Sequence, residues 1–264
     1  MVDFNDKNQW TLCLGGSSGL GYASALKLAQ HGMNMLIIHR DRRAAMPQIE
    51  KNFSAIQATG VQFVSFNEDA LNEETRHRLI GQIADVLGEK GRIKGLIHSV
   101  AKGNLKPMVD SDKRVLTHQD FELTLSAMAL SLYDWTQTIF SANLFAQDAR
   151  IVSFTSEGNR KAWPNYAAVS AAKVALEAIT RNIALAFAPY GIRANCLQPG
   201  ITDTASLRAI PGSDTLLAYG EKRNPFKRLT QPEDVANAVF LLMQAEAAWI
   251  NGCIIPVDGG SHIC

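Results

Sequence analysis

Short, continuously apolar segments alternate along the chain with longer segments that have a helical pattern of apolar residues. Continuous apolar segments are typical of parallel strands, which are buried on both faces of a sheet. The predicted strands are residues 10–14, 33–38, 61–66, 95–100, 151–154, 192–197 and 253–257. The predicted helices are residues 22–31, 73–87, 121–145, 165–188 and 232–245. This alternation predicts an α/β fold, with a doubly wound parallel sheet and helices on both faces.

Composition limits the range of functions. Lys and Arg number 26 against 25 Asp and Glu, which leaves no electrostatic footprint for nucleic acid. Four scattered cysteines favour a reducing compartment and no metal site. Residues 1–10 lack the apolar core of a signal peptide, and no apolar run approaches the roughly 20 residues that span a membrane. We therefore expect a cytoplasmic, single-domain protein over residues 1–264, without a membrane partner.

A glycine-rich turn follows the first predicted strand and precedes a helix. Glycines at these positions let the backbone approach a pyrophosphate, which binds at the positive end of the helix. In this context the turn predicts a nucleotide site in a Rossmann-like fold, whereas a plain tight turn is the alternative. The candidate cofactor-binding residues of the turn are Gly15, Ser17, Ser18, Gly19, Leu20 and Gly21.

Tyr166 and Lys173 lie at the start of the predicted helix 165–188. Seven residues make about two helical turns, so we expect both side chains on one face. A cation there would favour the phenolate of Tyr166, and the pair is suited to proton transfer. We expect Asn165 to cap the helix. The alternative is a surface lysine above a half-buried tyrosine, but Ser156 after the preceding strand favours a catalytic set.

These motifs occur in the order of the short-chain dehydrogenase/reductase superfamily, which the chain resembles over nearly its whole length. The matching segments are residues 15–21, Ser156, Tyr166, Lys173, residues 199–204 and residues 257–260. Most of that superfamily has Tyr-x3-Lys, but Val169 stands four residues before Lys173. The Tyr-x6-Lys spacing resembles the divergent branch that contains enoyl-acyl-carrier-protein reductases. The resemblance implies that Ser156, Tyr166 and Lys173 are catalytic.

The resemblance also implies a nicotinamide cofactor. Arg40, after the second strand, would accommodate a 2′-phosphate with help from Arg42 or Arg43, which favours NADPH; Asp41 could instead indicate NADH. The other implied cofactor contacts are Asp69, Ala70, Ser99, Val100, Ala101, Lys173, Pro199, Gly200 and Thr204.

Several positions depart from the usual members of the superfamily. His98 replaces the common Asn after the fourth strand, and we interpret it as structural. Met128 falls where ketone-reducing members have a catalytic Asn. Many enoyl reductases have a second Tyr at or soon after the position of Ser156. Whether Ser156 takes over its role in orienting the substrate stays open at this point, with Thr155 and Ser153 as possible substitutes.

A long connection, residues 205–228, joins a strand to the next helix at the expected active-site edge. Connections of this length are often lids over a substrate. Its apolar residues could form a wall for an acyl chain, and its basic residues could meet phosphates, although a solvated basic helix is an equal alternative. The residues are Leu207, Ile210, Leu216, Leu217, Phe226, Arg208, Lys222, Arg223, Lys227 and Arg228.

The resemblance implies an NADPH-dependent enoyl-thioester reductase, with its substrate on acyl carrier protein or coenzyme A, in fatty acid biosynthesis or specialised metabolism. The alternatives are a carbonyl reductase for 3-oxoacyl or other ketones, and a noncatalytic NADPH-binding regulator. Helix 165–188 is apolar on more than one face, which favours a homotetramer or homodimer interface; a fully buried helix is the competing interpretation.

Overall fold

The computed structural model describes Phe4 and residues 6–112 and 114–264. Seven parallel strands form one sheet in the order β3-β2-β1-β4-β5-β6-β7. Their bounds are Gln9–Leu14 (β1), Asn34–His39 (β2), Phe63–Asn67 (β3), Arg92–His98 (β4), Phe145–Phe154 (β5), Ile192–Pro199 (β6) and Ile254–Val257 (β7). The strand order reverses between β1 and β4, and ligands of such sheets bind at the carboxyl ends of the strands near this switch point. The predicted single-domain, doubly wound α/β fold is confirmed.

Helices cover both faces of the sheet. One face carries α1, α2 and α9, and the other carries α3, α4, α5 and α6. Their bounds are Gly19–Gln30 (α1), Met46–Gln57 (α2), Glu73–Leu87 (α3), His118–Leu125 (α4), Ser131–Ser141 (α5), Ala167–Ala186 (α6) and Pro232–Met243 (α9); the connection after β6 holds Ala205–Arg208 (α7) and Ser213–Arg223 (α8). Each face of the sheet thus has its own apolar core.

The predicted helix 121–145 is wrong in extent. The chain forms α4, a π-helical turn at Ser126–Leu130, and α5, which ends at Ser141. Asn143 adopts a left-handed conformation with φ 55°, which ends the helical segment before β5 begins at Phe145. The continuous apolar character of this stretch concealed the boundary, because buried helices and buried strands look alike by periodicity.

Two other helices differ from the prediction. α6 begins at Ala167, with Tyr166 as its N-cap residue, while Asn165 has a left-handed φ of 62° and does not cap the helix. Helix α2 was not predicted, although its buried residues Ile49, Phe53 and Ile56 recur at helical spacing. α3 has the predicted bounds.

Helix α6 is not buried all round. Its core side packs on the sheet through residues such as Leu176 and Ile183, whereas Val174 and Leu185 are exposed. The fully buried interpretation is therefore wrong, and a subunit interface stays a prediction. No helix in the described part of the chain is long and apolar enough to cross a membrane.

Candidate active site

A cavity opens at the carboxyl ends of β4, β5 and β6, where the predicted catalytic residues meet. Ser156 follows β5, whereas Tyr166 and Lys173 belong to the start of α6, and all three line this cavity. Predicted cofactor-binding residues from three segments line it as well: Leu20, Ala101, Pro199, Gly200 and Thr204. The fold therefore brings distant sequence motifs to one place.

The hydroxyls of Ser156 and Tyr166 are in direct contact. Ser156 is the N-cap of a 3-10 turn, and its Oγ accepts a hydrogen bond from the Gly158 amide at 3.2 Å. The Tyr166 hydroxyl donates to the same Oγ at 3.2 Å. Tyr166 itself is buried and packs against the indole of Trp163, with ring centroids 5.2 Å apart. The turn after β5 thus fixes the hydroxyl that positions the phenol.

The protonation of Tyr166 differs from the expectation. Burial raises the pKa of the Tyr166 phenol, and the hydrogen bond with Ser156 opposes this rise. The expected stabilisation of a phenolate by Lys173 is wrong for this arrangement. The phenol is therefore protonated at neutral pH and available as a hydrogen-bond donor.

Lys173 is a buried ammonium with one hydrogen-bond partner in the described structure. Its Nζ donates to the main-chain oxygen of Phe154, the last residue of β5, at 2.7 Å. Burial lowers the pKa of Lys173 to about 8, while Cys196 and Glu177 act to raise it. An ammonium has three donors, so Lys173 retains donors for a ligand.

Glu177 anchors the Ser156 segment to α6, one helical turn beyond Lys173. The Glu177 carboxyl is buried and accepts from Thr155 Oγ1 at 2.6 Å, and from the side-chain amide of Asn159. These two donors flank Ser156 in the sequence. Glu177 therefore ties the catalytic segment to the helix that carries Tyr166 and Lys173.

The π-helical turn between α4 and α5 places Met128 beside the site. Met128 lies in the π-helical turn and lines the cavity together with Val169. His98 Nε2 lies 2.7 Å from Ser131 Oγ, behind the cavity. Burial lowers the pKa of His98 to about 3, and the nearby Lys173 contributes, so the imidazole is neutral at physiological pH. Met128 and Val169 therefore give the cavity an apolar surface beside Tyr166.

The turn between β1 and α1 fits a dinucleotide. A Cβ on Gly15 would lie 2.3 Å from the main-chain oxygen of Ser99, and one on Gly21 would lie 2.3 Å from the oxygen of Gly15. Gly15 also has a φ of 79°. The side chain of Ser18, the N-cap of α1, makes no capping bond, and the first turn of α1 has no acidic residue. The amides at this helix end are therefore open to an anion.

Arg40 and Asp69 form an ion pair at the ends of β2 and β3, with Arg40 Nη1 2.7 Å from Asp69 Oδ2. The carboxylate of Asp41 lies 2.9 Å from Nδ1 of His39. The main-chain oxygen of Ala70 accepts from the Trp135 indole at 2.9 Å. This group lies outside the catalytic cavity, toward the end of the site where the adenosine part of a dinucleotide would bind.

The two remaining cofactor segments follow β4 and end β6. The amide of Ser99 donates to the oxygen of Leu14 at 2.9 Å, which holds residues 99–101, Val100 among them, beside the glycine turn. Gly200 has no room for a side chain, since a Cβ would lie 2.3 Å from Thr230 Oγ1. Thr204 caps α7 through its side chain. Both segments therefore border the site.

The predicted lid, residues 205–228, contains α7 and α8. Leu207 and Ile210 line the cavity and Leu216 packs near it, whereas Phe226 is exposed. The expected phosphate-binding role of its basic residues is weakened by their partners. Three are held in ion pairs: Arg208 with Asp203, Arg223 with Glu157, and Arg228 with Asp234.

Sequence reasoning missed several residues of the site. Gly103 and Leu105, from the irregular segment after β4, line the cavity, and Glu177 lies behind it. The signal for Glu177 was present, because a carboxyl four residues after Lys173 shares its helix face. Gly103 and Leu105 had no local signal, since a loop path is set by tertiary packing.

A glycine turn at a helix end, together with a Ser–Tyr–Lys set in one cavity, is typical of a nicotinamide-dependent oxidoreductase. The family model described as Enoyl-(Acyl carrier protein) reductase matches residues 15–262. The chain belongs to this family of the short-chain dehydrogenase/reductase superfamily, and it is an NAD(P)H-dependent oxidoreductase.

Curated proteins are similar to this chain over most of their length, and a solved structure shares its fold. A 1-cyclohexenylcarbonyl-CoA reductase from Streptomyces collinus is 27% identical over 261 residues, which cover 98% of this chain and 88% of that protein. A peroxisomal 2,4-dienoyl-CoA reductase from Mus musculus is 26% identical over 248 residues, covering 94% and 81%. Other relatives of similar identity are named dehydrogenases. A short chain dehydrogenase from Burkholderia cenocepacia J2315, solved in complex with NADP, superposes with a TM-score of 0.81 at 24% identity, covering 97% and 98% of the two chains.

Proposed function

We propose that the protein is an NADPH-dependent reductase of the carbon–carbon double bond of an enoyl thioester. The observation that carries this proposal is the position of the phenol. Tyr166 supplies the hydroxyl that meets Ser156, while Val169, one turn later on α6, lines the cavity with an apolar side chain. Met128 adds a second apolar side chain. The proton-donating group is thus displaced by three residues, roughly 4.5 Å along the helix axis, from its usual position before the lysine.

The displacement suits an enoyl thioester better than a ketone. In a ketone, the carbon that accepts hydride is bonded to the oxygen that needs a proton, so one donor beside the nicotinamide serves both events. In an enoyl thioester, the β-carbon accepts hydride while negative charge develops on the more distant thioester oxygen. Two relatives are named as reductases of conjugated acyl-CoA compounds, which supports the same reaction.

Tyr166 would act by stabilising the developing enolate. Its raised pKa keeps the phenol protonated, so it can donate a hydrogen bond to the thioester oxygen. Ser156 would orient either the Tyr166 hydroxyl or the carbonyl of the thioester. NADPH, when bound, supplies the hydride. Lys173 would hold the nicotinamide ribose hydroxyls with the donors that Phe154 leaves free.

The preference for NADPH rests on Arg40. Its guanidinium has five donors, of which Asp69 engages one end, and the side chain is largely exposed. It can therefore still bind a 2′-phosphate. Asp41 would favour NADH by accepting from the ribose, but its carboxylate is engaged by His39. Asp69 would then position Arg40 and contact the adenine.

The alternative is a carbonyl reductase for 3-oxoacyl or other ketones. The direct contact between Ser156 and Tyr166 favours it, because that pair would suit protonation of a ketone oxygen as well. The relatives named as dehydrogenases support the same alternative.

We further propose a homo-oligomeric, cytoplasmic enzyme. Exposed apolar residues on α5 and α6, including Tyr133, Val174 and Leu185, would form a subunit interface. The cysteines are all unpaired, which suits a reducing compartment. The thioester would be carried by coenzyme A or acyl carrier protein, in fatty acid biosynthesis or a specialised route.

The decisive experiment compares crotonyl-CoA with acetoacetyl-CoA. We expect NADPH oxidation with crotonyl-CoA and a product heavier by two hydrogens, and a much slower reaction with acetoacetyl-CoA. Reduction of acetoacetyl-CoA alone would contradict the proposal and establish the carbonyl reductase. Absence of NADPH oxidation with every thioester and ketone tested would favour a noncatalytic role.

A further inference from the structure

The catalytic cavity is small, with a volume of about 170 Å³. For comparison, an engineered protein cavity of about 150 Å³ binds one benzene molecule, and pockets for drug-sized ligands run from about 300 to 1,000 Å³. Part of the lining here, such as Pro199, Gly200 and Thr204, is assigned to the cofactor. The space that remains for an acyl group is therefore no larger than that of a single six-membered ring.

The inner wall of this cavity is closed by close packing. A Cβ on Gly103 would lie 2.7 Å from Thr124 Cγ2, 2.8 Å from Met128 Cε and 3.2 Å from Val169 Cγ2. Gly103 and these three side chains are thus in contact, and Met128 and Val169 are each only 4% exposed. The packing of the Gly103 segment against these side chains therefore forms the inner wall of the cavity.

The opposite wall is closed by the lid. Ile210, which follows α7, is buried and belongs to the same apolar cluster as Met128, Val169 and Tyr166. Leu207 packs against this cluster from α7. The cavity is therefore bounded by apolar side chains on its inner wall and on its lid side.

Given the proposed enoyl-reductase function, we propose that Met128 and Val169 limit the substrate to thioesters with a compact acyl group. The acyl group would be a short chain or a single ring, and long-chain acyl thioesters would be excluded. The apolar wall contributes affinity for such a group, because each buried methylene improves binding by about fourfold. Beyond the volume of one ring, further methylenes would collide with these walls, so the thioester of a long chain could not reach its position beside Tyr166.

Binding of saturated acyl-CoA products tests the limit separately from the chemistry. Titration calorimetry with the NADP⁺-loaded protein would compare butyryl-, hexanoyl-, cyclohexanecarbonyl- and dodecanoyl-CoA. We expect affinity to rise from butyryl to cyclohexanecarbonyl-CoA, and dodecanoyl-CoA to bind at least tenfold more weakly than cyclohexanecarbonyl-CoA. An affinity that continues to rise up to dodecanoyl-CoA, or the same affinity for all four, would overturn the inference.

Variants of Met128 and Val169 test whether these two side chains set the size limit. Met128→Ala should improve dodecanoyl-CoA binding at least tenfold relative to the wild type, and Val169→Ala, which removes less volume, serves if Met128→Ala does not fold. Leu123→Ala, on the exposed side of α4, is the control and should change nothing. Unchanged selectivity in both wall variants would overturn the role of Met128 and Val169.

The outcomes distinguish this inference from the proposed function. If the size limit holds in binding but crotonyl-CoA and the cyclohexenyl thioester are not reduced, the enoyl-reductase function is wrong while the limit stands. If these thioesters are reduced and the dodecenoyl thioester is reduced equally well, the function stands and the size limit is wrong.

Discussion

The two edges of the sheet each hold a buried lysine, and the two lysines are used differently. At the carboxyl edge, Lys173 donates to a main-chain oxygen and makes no ion pair within hydrogen-bond distance among the described residues. At the amino edge, Lys94 lies 2.5 Å from the carboxylate of Asp148, which also pairs with Arg150 and Arg193. Burial lowers the pKa of both lysines.

The difference lies in how the charge is compensated. Asp148 neutralises part of the charge of three cations, and although burial opposes it, hydrogen bonds from Arg150 and Lys94 keep the pKa of Asp148 below its usual range. Among the described residues, Lys173 has no such carboxylate within hydrogen-bond distance, and Glu177 bonds to Thr155 and Asn159 instead. The amino edge uses its charges for the fold, whereas the carboxyl edge leaves donors available to a ligand at a cost in stability.

The largest effect is expected for Tyr166→Phe at the carboxyl edge. Loss of the hydroxyl should lower kcat for crotonyl-CoA by about 10²–10⁴ if the phenol acts as a general acid, and less if it mainly orients the substrate. Tyr190→Phe is the control, because Tyr190 is exposed and remote from the cavity. Steady-state kinetics with both variants would check this, and an unchanged kcat in Tyr166→Phe would remove the phenol from the reaction.

The second prediction concerns the stability cost of Lys173. Its pKa is about 8 in the folded protein against 10.5 for a free lysine, so the unfolded chain binds more protons between these values. The free energy of unfolding therefore rises with pH between about 8 and 10.5, as the destabilisation caused by Lys173 is relieved. Below pH 8 the full destabilisation of about 3 kcal/mol applies.

Lys173→Met should remove this cost and abolish cofactor binding and turnover together. Urea unfolding without cofactor should show the variant more stable than the wild type at pH 7, by up to about 3 kcal/mol, with a smaller difference at pH 10. Lys51→Met, on the exposed face of α2, is the control. A stability difference that does not change with pH would contradict the assigned pKa.

The third prediction tests the NADPH preference assigned to Arg40 at the carboxyl edge. Arg40→Ala should weaken NADPH binding by about 1.5–3 kcal/mol and leave NADH binding nearly unchanged, because a charge-assisted contact with the 2′-phosphate is lost. Arg181→Ala, with an exposed guanidinium on α6, is the control. Equal affinity of the wild type for both cofactors, measured by fluorescence titration, would argue against the role of Arg40.

The smallest effect is expected at the amino edge. Lys94→Met removes one of the three partners of Asp148 but also the cost of burying the ammonium, so the free energy of unfolding should change by less than about 1 kcal/mol while kcat and KM stay unchanged. Urea unfolding and kinetics on the same preparation would check both. If Lys94→Met lost activity while it kept wild-type stability, the purely structural role assigned to the amino edge would be wrong.

The class of fold and the identity of the motifs could be predicted from the sequence alone. Local patterns were sufficient because a buried parallel strand is continuously apolar, and a nucleotide turn needs glycines where a Cβ would collide. Gly15 and Gly21 illustrate this, since a Cβ on either residue would lie 2.3 Å from a main-chain oxygen. The order of the motifs then placed Ser156, Tyr166 and Lys173 at one edge of the sheet.

Tertiary structure alone decided what surrounds those residues. The pKa of Tyr166 rises because burial outweighs its neighbours, and burial depends on Trp163 and on the cavity walls rather than on sequence spacing. The cavity is small because Gly103 contacts Met128 and Val169, residues that are far apart in the chain. Such contacts follow from the path of loops and from a π-helical turn, neither of which has a local sequence period.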